Sequence, residues 1–154
     1  MWHRREWAKD IVAGQASTVI AKAMRSVSDG RMAYIRTLHK AGVTIMAGTD
    51  SPNFPYAFPG FGLHQELELL VQCGLTPIEA LRSATLTPAK FLGLENAFGT
   101  VEQGKTADLI LLNDNPLENI SNTQKIEAVV VNGRLLRRSD LDALLLQVEN
   151  MARK

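Results

Sequence analysis

There is one cysteine, Cys73, in 154 residues, so no internal disulfide framework can form and the composition suits a reducing compartment. Cys73 falls near the end of an apolar helical pattern with no base beside it, which reads as a structural thiol rather than a nucleophile. Neither sign of charge is in excess: 17 basic and 16 acidic residues give a formal net charge of +1. The basic residues are scattered, without the aromatic-basic patch that nucleic-acid recognition uses. No apolar run approaches the roughly 18 residues a membrane span needs. Residues 1–9 are polar and mixed in charge, with no signal-peptide core behind them. These absences set the expectation of a cytoplasmic chain with no nucleic-acid and no membrane partner. Internal repeats and low-complexity segments are missing as well. What is present, 45% hydrophobic and 21% charged residues, is ordinary globular composition at about one domain's length.

The chain is organised around residues 41–51, AGVTIMAGTDS. An apolar run over 43–47 stops at Gly48 and presents Thr49, Asp50 and Ser51. A short apolar run bounded by glycines predicts a fully buried strand of a parallel sheet. An acid just past its end lies at the carboxyl edge, where α/β sheets and barrels hold their chemistry. Asp50 is therefore the candidate catalytic residue, set against the plainer reading of a turn or helix-cap aspartate.

Ahead of this stretch, apolar residues recur at three- and four-residue intervals from Trp7 to Val27 and predict a helix. A polar break is expected over 26–30. A second helix follows over 31–40, with Tyr34, Ile35, Leu38 and Ala41 on one side and Gly42 as its left-handed terminator. Helix, short link and strand make one αβ unit. Residues 51–62 hold three prolines, two glycines and four aromatics and cannot be regular. They read either as a substrate loop, from their position after the strand, or as a packed surface loop. Leu63, Leu67, Leu70 and Val71 then predict a helix over 63–72. Thr76-Pro77-Ile78-Glu79 is a capping box that opens the next one, and Thr87-Pro88 repeats the signal for a third, short helix ending at Gly93. His64, at the start of the first of these, is a candidate substrate contact or a helix-start histidine with a local hydrogen bond. Glu66 and Glu68 read as first-turn acids or as partners of nearby cations.

From Phe98 the period changes. Residues 100–105 read as extended, 107–112 and 126–131 as strands, and Asn132-Gly133 as a hairpin turn into a return over 134–137. Ser139 is expected to cap a last helix with Leu141, Leu144, Leu145 and Val148 on its inner face. Asp108 and Asp114 read as strand-start and turn acids. Neither half looks complete: one parallel strand has no sheet neighbours, and a few strands leave open edges. The expectation is a piece of a larger protein, or a chain completed by association.

The order of these features resembles the C-terminal part of the metal-dependent amidohydrolase superfamily, in particular its imidazolonepropionase-like and prolidase-like members. The matching stretches are AGVTIMAGTDS at 41–51, LHQELELLVQCGLTPIEALRSATLTPAKFLGL at 63–94, GTVEQGKTADLILLNDNPLENI at 99–120 and IEAVVVNGR at 126–134. What the resemblance implies is an α/β fold: the end of a (β/α)8 barrel (TIM barrel) over 1–97, strands of a small β-sandwich over 98–138, and a C-terminal helix over 139–154. It implies that Asp50 ends barrel strand eight, touches a divalent metal, expected to be zinc, and takes a proton from the attacking water. The implied substrate is a small molecule with a carbon–nitrogen bond to hydrolyse: a cyclic amide, a dipeptide or a related amide. Ser51 and Asn53 become candidate substrate contacts beside His64.

The chain also departs from the pattern. The family uses a His-x-His pair and further histidines, whereas this chain has His3, His39 and His64 with no such pair. One aspartate falls short of the three protein ligands a catalytic metal usually takes, and a barrel needs about 250 residues. The isolated chain is thus expected to be inactive, with its metal site completed elsewhere. The alternative is a non-catalytic, self-associating interaction module.

Overall fold

A computed structural model describes residues 18–51 and 59–152. The start of the helix expected from Trp7, His3, and the candidate contact Asn53 with most of its loop lie outside the described residues. Helix α1 (Thr18–Lys40) runs without interruption through the expected break. Ser26, Ser28, Asp29 and Gly30 are all exposed. The polar stretch is therefore the solvated side of one helix, and a single glycine costs about 1 kcal/mol, too little to end it. Of the side expected to face inward, Ile35 packs on the core and Leu38 is half-buried, while Tyr34 and Ala41 are exposed; Met32, outside that set, packs on the core as well. Gly42 ends the helix as expected. Its φ is 76°, and the amides of Gly42 and Val43 return to the carbonyls of His39 and Leu38, the paired closure that a left-handed residue permits.

Residues 43–47 leave α1 extended, but they are not a buried strand. Among the described residues they are hydrogen-bonded into no sheet. Burial alternates instead: Ile45 and Ala47 pack against the core, while Val43 and Met46 are 47% and 42% exposed. One side of the segment is covered by helices and the other faces no neighbour strand, so half its apolar residues stay in solvent. The Ala47 amide donates to the Ser83 carbonyl at 3.0 Å, which ties the segment to the helices beyond.

Three short helices follow, α2 (Phe61–Gln72), α3 (Pro77–Ser83) and α4 (Leu86–Phe91). α2 begins two residues earlier than its apolar spacing indicates. It ends with the Gly74 and Leu75 amides on the Val71 and Leu70 carbonyls. The capping box of α3 is formed: Glu79 N–H meets the Thr76 hydroxyl, and the Thr76 amide donates to the Glu79 carboxylate at 2.7 Å. α4 starts at Leu86, so Thr87-Pro88 lies inside its first turn rather than before it. Proline is tolerated there because first-turn amides have no helical partner. The core is small: Leu67, Leu70, Cys73, Leu75, Ala80 and Ile120. Burial pushes up the Cys73 thiol, against a smaller pull from the Arg36 guanidinium.

The remainder is a three-stranded antiparallel sheet in the order β1-β2-β3, with β1 (Leu109–Leu112), β2 (Ile126–Val131) and β3 (Arg134–Arg137). Asn132 and Gly133 both take positive φ, 49° and 74°, as a type I′ hairpin turn requires. The register is continuous from Ala128↔Arg137 to Val131↔Arg134, and β1 slips between Leu111 and Leu112. Ile110 and Leu111 are 60% and 61% exposed. Neighbouring strand residues point to opposite faces, so β1 shows apolar surface on both. Helix α5 (Arg138–Ala152) follows β3 without a break and packs on β2 and β3. Ser139 lies inside this helix and does not cap it; Asp140 in the first turn reaches back, its carboxylate accepting the Arg137 amide at 2.9 Å. Of its expected inner face only Leu141 is half-buried; Leu144, Leu145 and Val148 are exposed.

Between β1 and β2 lies a 3-10 turn, Ile120–Gln124. Asn119 opens it by accepting the Ser121 amide at 3.0 Å, a side-chain mimic of a helix cap. Ile120 carries this turn into the core cluster. The whole is α/β, with helices on one side of the extended segment and the sheet reached through the turn.

Candidate active site

Asp50 sits at the far end of the extended segment from α1. Its φ is 50°, a left-handed conformation that side chains other than glycine adopt at a cost and that aspartate tolerates better than most. Its carboxylate end of the segment is exposed, and Ser51 beside it is half-buried. Helix α2 flanks the approach to it. The Gly48 amide donates to Glu66 Oε1 at 3.3 Å. A Cβ placed on Gly62 would lie 3.7 Å from Thr49 Cβ, so the first turn of α2 passes close over Thr49.

His64 belongs to the same helix, and its partner is distant in sequence. Nδ1 lies 3.0 Å from the Thr123 hydroxyl, and the ring meets Phe61 edge-on at 6.0 Å between centroids. Burial holds the His64 imidazole below its usual pKa, with the nearby Glu68 carboxylate pulling the other way. Glu68 takes a hydrogen bond from Gln124 Nε2 at 2.7 Å. The expected first-turn role of Glu66 and Glu68 does not hold, because α2 starts earlier and carries no acid in its first turn. They bind a backbone amide and a glutamine instead. Composition gives no sign of either bond, since both partners are set by how the segments pack.

His39 marks the opposite end. Its Nε2 is 3.9 Å from Glu79 Oε2, beside the α3 cap. The Thr76 hydrogen bonds hold the Glu79 carboxyl below the usual carboxylate range, with His39 and Arg82 adding to the effect. Asp108 accepts the Asn132 amide at 2.8 Å, and Asp114 pairs with Lys125 at 2.6 Å. Both are the strand-start and turn acids the sequence suggests. Among the described residues no group of three or more His, Cys, Asp or Glu side chains could hold a metal ion. Also among the described residues, no helix is long and apolar enough to cross a membrane.

Asp50 thus sits on a positive-φ turn at the end of an extended apolar segment that helices back on one side. The model of the amidohydrolase family matches residues 7–136, and this chain belongs to that family. It is 34% identical over 108 residues to the ochratoxinase of Aspergillus niger, covering 69% of this chain and 21% of that enzyme. It is 33% identical over 100 residues to an imidazolonepropionase of Sphingopyxis alaskensis, covering 64% of this chain and 24% of the relative. Its fold matches the crystal structure of a putative prolidase from Bifidobacterium longum with a TM-score of 0.68 at 33% identity, over 90% of this chain and 35% of that one. The chain thus spans about a fifth to a third of the length of these relatives.

Proposed function

We propose that this chain is the C-terminal part of a metal-dependent amidohydrolase that cleaves a carbon–nitrogen bond in a small amide, with Asp50 as the proton-transferring acid. The observation that carries the proposal is the placement of Asp50: past the end of the extended segment 43–47, on a positive-φ turn, inside the span that matches the family. In this reading residues 43–47 are the last strand of a (β/α)8 barrel whose other strands lie outside this chain. Their half-exposed side-chain face would pack into the barrel interior, and those strands would pair along their backbone edges. The three-stranded sheet is one arm of a small sandwich, and the apolar residues open on both faces of β1 await the other arm. Residues 1–97, 98–138 and 139–154 are then barrel end, sandwich arm and terminal helix.

The described residues alone do not fit a complete metal centre. Asp50 would be one ligand, and the rest would come from outside this chain, as would a divalent ion such as zinc. What Asp50 itself does follows from carboxylate chemistry. It accepts a proton from the attacking water and returns it to the leaving nitrogen, a transfer worth about 10²–10⁴-fold when the base is well placed. Ser51, Asn53 and His64 are proposed substrate contacts at the mouth. The relatives' names, an ochratoxinase and an imidazolonepropionase, favour a small amide or lactam as substrate.

Two measurements test this. The purified chain should carry less than one equivalent of zinc and leave acyl-amino acids and dipeptides intact. Stoichiometric zinc together with amide hydrolysis by the chain alone overturns the composite site. In the assembled enzyme, Asp50→Asn should lose most of kcat with the fold retained, and wild-type turnover in that variant removes Asp50 from the mechanism. The exposed apolar residues on α5 and β1 favour a second reading, a non-catalytic module that associates with itself. Concentration-dependent dimers without hydrolytic activity in any assembly would support it.

A further inference from the structure

We infer that Glu66 is a positioning residue for Asp50, acting through the backbone of the segment that carries it. The inference rests on the catalytic role proposed above for Asp50. Gly62 and Glu66 are four residues apart on α2 and so share one face of the helix. Gly62 faces Thr49, with a Cβ's space between them, and the Glu66 carboxylate accepts the Gly48 amide at 3.3 Å. One helix face therefore runs beside the two residues before Asp50 and bonds the first of them. Upstream, the Ala47 amide is held separately by the Ser83 carbonyl. Two consecutive residues, 47 and 48, are thus held through their amides by two different helices, α2 passes over residue 49 with room for about one methyl group, and the next residue is the one at positive φ.

That sequence of contacts explains how the turn persists. A residue other than glycine in the left-handed region stays there only when its surroundings over-determine it. A carboxylate is a strong acceptor for a backbone amide, and here it fixes the peptide plane two residues ahead of the strained one. Glu66 itself stays away from the reaction. Its role is to set the direction in which the Asp50 side chain leaves the segment.

Hydrogen exchange and carbon chemical shifts on the isotope-labelled 154-residue chain test this without reference to turnover. In the wild type the Gly48 amide should be protected, and Asp50 should show the Cα and Cβ shifts of a positive-φ residue. Glu66→Ala should speed Gly48 exchange about tenfold, the scale of one lost hydrogen bond, and move the Asp50 shifts toward extended values. Glu66→Gln, whose amide oxygen reaches the same point, should restore both. If Glu66→Ala does not fold, wild type and Glu66→Gln still decide, because both must protect Gly48. An unprotected Gly48 in the wild type, or identical Gly48 rates and Asp50 shifts in all folded variants, overturns the inference. Asp50→Asn should keep Gly48 protected whatever its turnover, so failure of the catalytic role and failure of the Glu66 contact are read separately.

Discussion

His64 Nδ1 and Thr123 Oγ1 lie 3.0 Å apart, joining helix α2 to the 3-10 turn across 59 residues of chain. Burial favours the neutral ring and lowers its pKa. The unfolded chain then takes up a proton near pH 6.5 while the folded one does not. The contribution of His64 to stability is present above that pH and is lost as pH falls through the lowered folded pKa. Denaturation curves between pH 7.5 and 5 should show stability declining with acid, and His64→Gln should flatten that slope. An equal slope in the variant would assign it to other groups.

The α3 cap gives a second pH-sensitive feature. Thr76→Ala removes the side-chain acceptor of the capping box and should cost about 1 kcal/mol, read as a lower Tm. Glu79 has a lowered folded pKa, chiefly through its hydrogen bonds to Thr76. Its stabilising effect should hold above the usual carboxylate range and fade in more acid solution. Thr76→Ala should shrink that acid-dependent part.

Function and stability should separate at residue 50. Asp50→Gly relieves the positive φ and should leave the chain as stable or about 1 kcal/mol more stable, while abolishing turnover in the assembled enzyme. A marked loss of stability would mean that the aspartate side chain holds the turn together.

Among the described glycines, Gly99 is the most tightly enclosed. Its φ is 96°, and a Cβ there would lie 2.9 Å from Leu86 Cα and 3.0 Å from Ala89 Cβ. The nearest obstacle is backbone, which cannot step aside as a side-chain tip would. Gly99→Ala should destabilise by about 1–3 kcal/mol, measured by urea denaturation.

The apolar side of α5 should be sticky. Leu144, Leu145, Val148 and Met151 are all exposed, and a patch of that kind marks an interaction surface. The chain should bind a hydrophobic dye and sediment as more than a monomer at high concentration, and Leu145→Lys with Val148→Lys should weaken both. A dye-silent monomer would show that this side is covered in solution.

Local signals in the sequence specify structure where a short pattern suffices. The Thr76–Glu79 box, Gly42, and Asn132-Gly133 each fix their own turn by backbone chemistry, and all three formed. The boundaries of β2 and β3 follow from the hairpin between them. The sequence departs from the structure where the outcome depends on partners. Residues 43–47 have the composition of a buried strand, but burial requires neighbouring strands, and the described residues supply none. Leu144 and Val148 have the spacing of an inner face without a second surface to cover it. Glu66 and Thr123 gain their roles from contacts across 18 and 59 residues, for which a linear pattern carries no sign. Asp50 is proposed from a local context, an apolar run, a glycine, then an acid, and its role awaits the turnover measurement above.

The turn at Ile120–Gln124 has a consequence for how the molecule comes apart. It reaches α2 through Thr123 and Gln124, enters the helical core through Ile120, and borders β1. Among the described residues it is the element packed on both α2 and β1. Cooperativity between helices α1 to α4 and the sheet therefore leans on these five residues. With the turn seated, heat should melt helices and sheet in one transition. With its contacts removed, the same covalent chain should melt in two.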